Sequence, residues 1–210
     1  MKSKQTNPRL LRFDRRLQRR FNLPPDRVAG LDEVGRGPLA GPVVAGAVLL
    51  NRFHFPVRID DSKRLSPSAR EAAYRAILPY AQIGVGFVGP EEIDRIGIHR
   101  ATALAMRRAL KRLPTLPVLA LIDGAWVPSG FPIPAMPIVR GDSRSLLIAC
   151  ASIVAKVIRD RWMLKIHRLV PEYGFHRHKG YGTPEHLDAL RLIGPSLFHR
   201  FSFEPVKGGG

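Results

Sequence analysis

The 210-residue chain carries 34 basic against 17 acidic residues, a formal charge of +17, on a 45% hydrophobic background, with a pI near 11.2. That length and apolar content support a folded core, and the charge calls for a polyanionic partner, nucleic acid ahead of an anionic membrane surface. The single cysteine, Cys150, excludes an intramolecular disulfide, and no run of eighteen apolar residues exists to span a membrane.

The first twenty residues hold eight bases and one acid, Asp14, without the apolar segment of a secretory signal. A cytoplasmic location is the expectation. The Arg-rich start also has the composition of an organelle transit peptide, against which its scarcity of serine counts. Within this arm (1–26), Leu10, Asp14, Leu17 and Phe21 fall on one helical stripe, so it reads either as a short basic helix lying on the body or on a polyanion, or as a solvated, partly frayed terminus.

Arg27 to Val34 reads as a first strand and "PVVAGAVLL" as a second, joined by a Gly/Pro-rich turn. A helix follows, with Ser66 as N-cap and Pro67 at its first position. "AQIGVGFVG" is a third strand whose glycines suggest close backbone approach. "GPEEIDRIGIHRATALAMRRALKRL" gives one or two helices, "PVLALID" a fourth strand ending at Asp123, and "AMPIVRGD" a fifth ending at Asp142. A long helix runs from Ser143. The loop "GFHRHKGYGT" precedes a helix capped by Thr183, and the tail from 204 to 210 is expected to be disordered. The order of elements favours an α/β fold, a mixed sheet with flanking helices and a C-terminal helical extension.

Acids are scarce, yet Asp32, Glu33, Asp123 and Asp142 sit where strands run or end, among apolar neighbours that make an unpaired charge costly. Asp32 and Glu33 point to opposite faces of a strand, so Asp32 is the centre of any cluster and Glu33 reaches in from its edge. Hard oxygen donors without a Cys/His cluster suit Mg²⁺ or Mn²⁺. A basic surface around an acidic pocket fits a phosphodiester enzyme, in which bases hold the polyanion and acids hold metals.

The segments "GLDEVGRGPLAGPVVAGAV", "DSKRLS", "LIDG", "PAMPIVRGDSRS", "ASIVAKVIRDRWM" and "YGFHRHKGYGT", in this order, resemble the ribonuclease HII family from about Val28 to Leu190. The resemblance implies an RNase H-like catalytic domain at 27–170 and a C-terminal helical substrate-binding region at 171–203. It implies cleavage of RNA joined to DNA, with two Mg²⁺ or Mn²⁺ ions on Asp32, Glu33, Asp123 and Asp142. Its substrates would be RNA–DNA hybrid and duplex DNA containing ribonucleotides, and its setting ribonucleotide excision repair. By the same resemblance Gly35, Arg36 and Gly37 read the ribose 2′-hydroxyl and the junction phosphate largely through backbone groups, and Tyr181 stacks on the sugar of the following deoxynucleotide. Ser62 and Lys63 bind phosphate or support the site. Ser143, Arg144, Ser152, Lys156 and Lys179 are phosphate-backbone candidates. The chain departs from the family pattern at Ala125-Trp126 after "DG" and at Cys150, where alanine is usual.

Asp160, flanked by Arg159 and Arg161, reads as the anchor of a surface ion pair, His176, His178 and His186 as part of a basic loop rather than a zinc site, and Trp126 and Trp162 as core or partly exposed packing residues rather than base-stacking ones. No clamp-binding segment stands out after Phe203. Two other classes stay open: a non-catalytic basic nucleic-acid binder, and a different nuclease of the same fold such as ribonuclease HIII or a resolvase.

Overall fold

The computed structural model describes residues 7–208. Helix α1 (Pro8–Arg20) starts where the Asn7 side chain accepts the Arg9 amide and Pro8 supplies a preset dihedral. It is a docked helix, not a frayed end. Leu10, Leu11, Asp14, Leu17 and Gln18 face the body. Phe21 lies outside this stripe, 47% exposed, because the helix stops at Arg20 and Asn22 takes a left-handed φ of 48° that turns the chain away.

Strands β1 (Val28–Val34) and β2 (Val43–Leu50), helix α2 (Pro67–Ile77), strand β3 (Ala81–Val88), helices α3 (Pro90–Ile96) and α4 (Ile98–Lys111), and strands β4 (Leu119–Asp123) and β5 (Ala135–Ile138) follow. Long helix α5 (Leu146–Leu169), one-turn helix α6 (Phe175–His178) and helix α7 (Pro184–Ile193) complete the chain. Ser66 and Pro67 open α2 as expected. The α3–α4 stretch is two helices because Gly97, at φ 78°, breaks it.

The sheet order is β3-β2-β1-β4-β5. The short loop from β1 and the α2-containing excursion after β2 give antiparallel pairings, whereas crossing through α3 and α4 returns β4 parallel to β1, with β5 parallel to β4. This is the mixed sheet anticipated from the sequence. Alternation along β1 sends Val28 into a core shared with α1, α2 and α5, and Ala29 and Leu31 into one shared with α4. The glycines of β3 allow close approach as expected: a Cβ on Gly86 would lie 1.9 Å from the Ala105 carbonyl oxygen of α4.

Four expectations need correction. Strand β5 ends at Ile138, and Asp142 sits beyond it in a 3₁₀ turn (Gly141–Ser143), because Arg140 at φ 54° takes the chain out of the sheet. Helix α5 therefore begins at Leu146, with Ser145 as cap. The loop before α7 contains α6. The tail is ordered further than expected: Val206–Gly208 form a 3₁₀ turn and Val206 is buried, while 209–210 lie outside the described residues.

Candidate active site

On the parallel β1–β4 ladder Leu31 pairs with Ile122. Asp32 and Asp123, each one residue further along, therefore leave the same end of the sheet side by side on the α5 face. Asp142 arrives from the turn before α5, where the Gly141 amide donates to Asp123 Oδ1 at 2.6 Å. Glu33 points to the opposite face, as its position on the strand requires, and lines a pocket with Arg36, Thr102, Met106, Asp123, Gly124 and Trp126. Asp123 stands between the two faces.

The electrostatics record this convergence. Burial, then the charges of Glu33, Asp123 and Asp142, hold the Asp32 carboxyl well above its ordinary range, with Ser152 pulling the other way. Burial also raises Glu33, which Arg36 opposes and Asp123 reinforces. Asp142 is raised by burial, Asp123 and Asp61, against Lys63. Burial would depress the Lys63 ammonium, yet Asp142, Asp61, Asp32 and Asp123 outweigh it and raise its pKa. One amine thus lies in the field of four carboxylates. Among the described residues no three His, Cys, Asp or Glu side chains stand in a closed metal-holding group. The acids lean on bases and amides instead: Lys63 Nζ lies 3.6 Å from Asp142, and Arg36 Nη1 3.3 Å from Glu33.

The loop Gly35-Arg36-Gly37 is held from behind by two fully buried arginines. Arg200 donates to the carbonyls of Gly35 at 2.6 Å, Arg36 at 2.9 Å and Gly41 at 2.8 Å. Arg159 donates to Pro42 at 2.9 Å, Ala40 at 3.2 Å and Lys179 at 3.1 Å. These carbonyls satisfy cations that burial would otherwise make expensive. Burial and the neighbouring Arg159 push Arg200 down to about 9, which leaves it cationic at neutral pH. In a trans peptide the carbonyl and amide point opposite ways. With the Gly35 and Arg36 carbonyls turned inward to Arg200, the amides of Arg36 and Gly37 point outward. Gly35 is required here, at φ 89° and with an added Cβ 2.2 Å from Arg159 Nε. Gly37 has no such backbone demand; a Cβ there meets nothing within 4 Å.

The sequence reading missed both arginines, since nothing in one-dimensional spacing separates a buried arginine from the many exposed ones. It also left Asp61 of "DSK" unassigned, although that acid neighbours Asp142.

The remaining expected residues divide by geometry. Ser62 and Ser152 are buried with their hydroxyls 2.9 Å apart; Ser152 hydrogen-bonds Asp32, and Ser62 backs Ser152. Lys156 is committed to Asp160 at 2.7 Å. Asp160 anchors ion pairs, as expected, with Lys156 and Arg70 as its partners. Ser143 Oγ donates to the Arg140 carbonyl. Exposed Arg144 donates to the Val139 carbonyl and lies over Phe13. Lys179, in a left-handed conformation, donates to the His176 carbonyl. Tyr181 is 42% exposed, with Arg159 6.0 Å from its ring centre. Both tryptophans are partly exposed, Trp162 at 44% against Phe87 and Trp126 at 40% beside Met106, Glu33 and Asp123.

Of the three histidines expected in a basic loop, His176 is exposed there beside Arg177 and Lys179, whereas His178 and His186 are buried, as is His199. The Ser196 amide donates to His199 Nδ1 at 2.9 Å, so neutral His199 carries its proton on Nε2 and donates it to His186 Nε2 at 3.0 Å. His186 Nδ1 then donates to the Tyr181 carbonyl at 2.9 Å. A chain of neutral imidazoles thereby fixes the backbone at Tyr181.

A mixed sheet in this order, with carboxylates meeting at the head of its two central parallel strands, defines an RNase H-like nuclease. The family model described as Ribonuclease HII matches residues 29–206. Ribonuclease HII of Chlamydia trachomatis serovar A is 51% identical over 183 residues, 86% of this chain and 83% of that protein. The chain belongs to the ribonuclease HII family, and is a type 2 ribonuclease H, a hydrolytic endonuclease. Two solved structures share the fold. One is a chain of the PCNA:RNase HII complex from Archaeoglobus fulgidus, with a TM-score of 0.71, 23% identity, and 85% of this chain and 95% of that one covered. The other is Bst-RNase HIII in complex with Mn²⁺, with a TM-score of 0.70, 19% identity, and 90% and 70% covered. Among the described residues no helix is long and apolar enough to cross a membrane.

Proposed function

We propose that this ribonuclease H depends on divalent metal and cuts on the 5′ side of ribonucleotides, both within RNA–DNA hybrid and embedded singly in duplex DNA. The products carry 3′-hydroxyl and 5′-phosphate ends. The supporting observation is the convergence of Asp32, Asp123 and Asp142, from three separate segments, into one field that Lys63 senses. The donor set fits the ions: oxygen ligands only, crowded enough to raise one another's proton affinity, which a dication relieves.

Asp32, Glu33, Asp123 and Asp142 would hold two Mg²⁺ or Mn²⁺ ions. When bound, such ions supply an activated water and stabilise the leaving 3′-oxygen. The chain's own groups do the rest. The outward amides of Arg36 and Gly37 face a ribose 2′-hydroxyl, the group that distinguishes RNA from DNA. Tyr181, fixed from behind by His186, offers its ring to the next sugar. Lys63 tempers the carboxylate charge until substrate arrives. Incision beside an embedded ribonucleotide is the opening step of ribonucleotide excision repair, to which we assign the protein, in the cytoplasm.

The test is a labelled duplex with one embedded ribonucleotide, incubated with Mg²⁺, Mn²⁺ or EDTA. Cleavage 5′ of the ribonucleotide in either metal, and none in EDTA, is the expected result. Metal-independent binding without cleavage, or cutting of continuous hybrid alone, contradicts it.

A further inference from the structure

We propose that α1 forms a second binding site for the nucleic-acid phosphate backbone, extending the substrate path beyond the carboxylates; this rests on the function proposed above. The helix carries Arg9, Arg12, Arg15, Arg16, Arg19 and Arg20, all exposed, and its one acid, Asp14, is buried underneath. Among the described residues none of the six arginines takes part in a salt bridge. Elsewhere unpaired exposed arginines such as Arg52, Arg100, Arg140 and Arg168 are scattered singly, and others such as Arg75, Arg95, Arg177 and Arg191 pair with acids, so the clustering of six on one helix is what sets α1 apart. The charge of α1 is left for an outside partner.

Geometry gives that charge a place. Arg9, Arg12 and Arg16, one helical face at spacings of three and four, line an open pocket of about 450 Å³ with Phe13 and Arg144. Arg144 is two residues past Asp142, and its guanidinium lies 5.2 Å from the Phe13 ring centre. On the opposite face, Asp14 Oδ2 accepts the Leu147 amide at 3.1 Å, which fixes α1 to the start of α5 directly behind the Asp142 turn. The pocket is therefore tied, through Arg144 and the start of α5, to the chain segment that carries Asp142. Four guanidiniums around a concave wall match the spaced, bidentate acceptors of a phosphate backbone. Proximity to a nuclease site favours nucleic acid over an anionic lipid surface.

Binding of a long RNA–DNA hybrid is measured at several salt concentrations in Ca²⁺, for the parent and for the triple variant Arg9→Gln/Arg12→Gln/Arg16→Gln, with thermal melting to confirm folding. The slope of log affinity against log salt should fall by roughly 0.9 per lost phosphate contact, so by about 2 to 3. Arg→Lys at the same positions should restore most of it. An unchanged slope overturns the proposal. So does an equal fall in a control triple, Arg75→Gln/Arg95→Gln/Arg191→Gln, because net charge alone would then explain both. Variant-sensitive binding to phosphatidylserine vesicles, with hybrid affinity unaffected, overturns it in favour of a membrane. Parent protein that binds hybrid with the steep slope yet never cleaves it refutes the proposed function and leaves this site standing.

Discussion

Arg200 Nη2 donates to the Gly35 carbonyl at 2.6 Å, so a residue ten positions from the chain end sets the direction of the loop that follows the first catalytic strand. The guanidinium is the hinge pin between the C-terminal region and the sheet.

Replacing Arg200 by Met should therefore do two things. Leaving the carbonyls of Gly35, Arg36 and Gly41 without a donor costs roughly 3 kcal/mol of stability, readable by denaturant unfolding. Freed peptides should also lose their aim, so that discrimination between a ribonucleotide-containing and an all-DNA duplex falls at least tenfold. Arg200→Lys, with one donor group, should recover stability better than selectivity. Equal recovery of both argues against a directing role.

Tyr181 offers an exposed ring on a fixed backbone. Tyr181→Ala should reduce cleavage beside an embedded ribonucleotide about tenfold or more, in keeping with a lost stacking contact of 1 to 3 kcal/mol. Affinity for duplex DNA should change much less. Equal losses in the two assays would remove Tyr181 from substrate reading.

Asp14 makes stability pH-dependent in an unusual direction. Burial, against the pull of the Leu147 amide, raises its pKa from 3.8 to about 7. Between those values the folded protein keeps a proton that the unfolded chain has released, so this group makes stability fall as pH rises from about 4 to 7. Asp14→Asn should abolish that component in urea unfolding at stepped pH. A variant whose stability declines over this range as steeply as the parent's contradicts it.

His199 acts in the opposite sense. Burial and its neighbour His186 lower it from 6.5 to about 4, so the unfolded chain takes up the proton first and stability drains away as pH falls from about 6.5 towards 4. His199→Asn should flatten the acid limb of the unfolding curve. Because His199 secures His186, and through it Tyr181, the same variant should weaken ribonucleotide selectivity at neutral pH.

Much of this was legible in the residues. Ser66 and Pro67 announced α2 because capping is local chemistry, and the alternation along β1 separated Asp32 from Glu33 before any fold was known. Asp142 was placed on a strand end because nothing local signals that Arg140 adopts a left-handed turn. The buried roles of Arg159, Arg200, His186 and His199 depend on contacts between segments far apart in sequence, and polar residues give no periodic signal of burial. Asp14 falls on the α1 stripe in the sequence, but its partner, the Leu147 amide at the open end of α5, appears only when the helices pack.

The central claim is that Asp32, Asp123 and Asp142 converge, with Glu33 meeting Asp123 from the other face, to hold divalent metal for phosphodiester cleavage. It is tested most directly by titrating Mg²⁺ against cleavage of a duplex with one embedded ribonucleotide, for the parent and for Asp32→Asn and Asp142→Asn. The account predicts cleavage that rises from zero with Mg²⁺ in the parent and falls by roughly a hundredfold or more in each variant, with folding intact. Full Mg²⁺-dependent cleavage by either variant, or parent cleavage undiminished in EDTA, would contradict it.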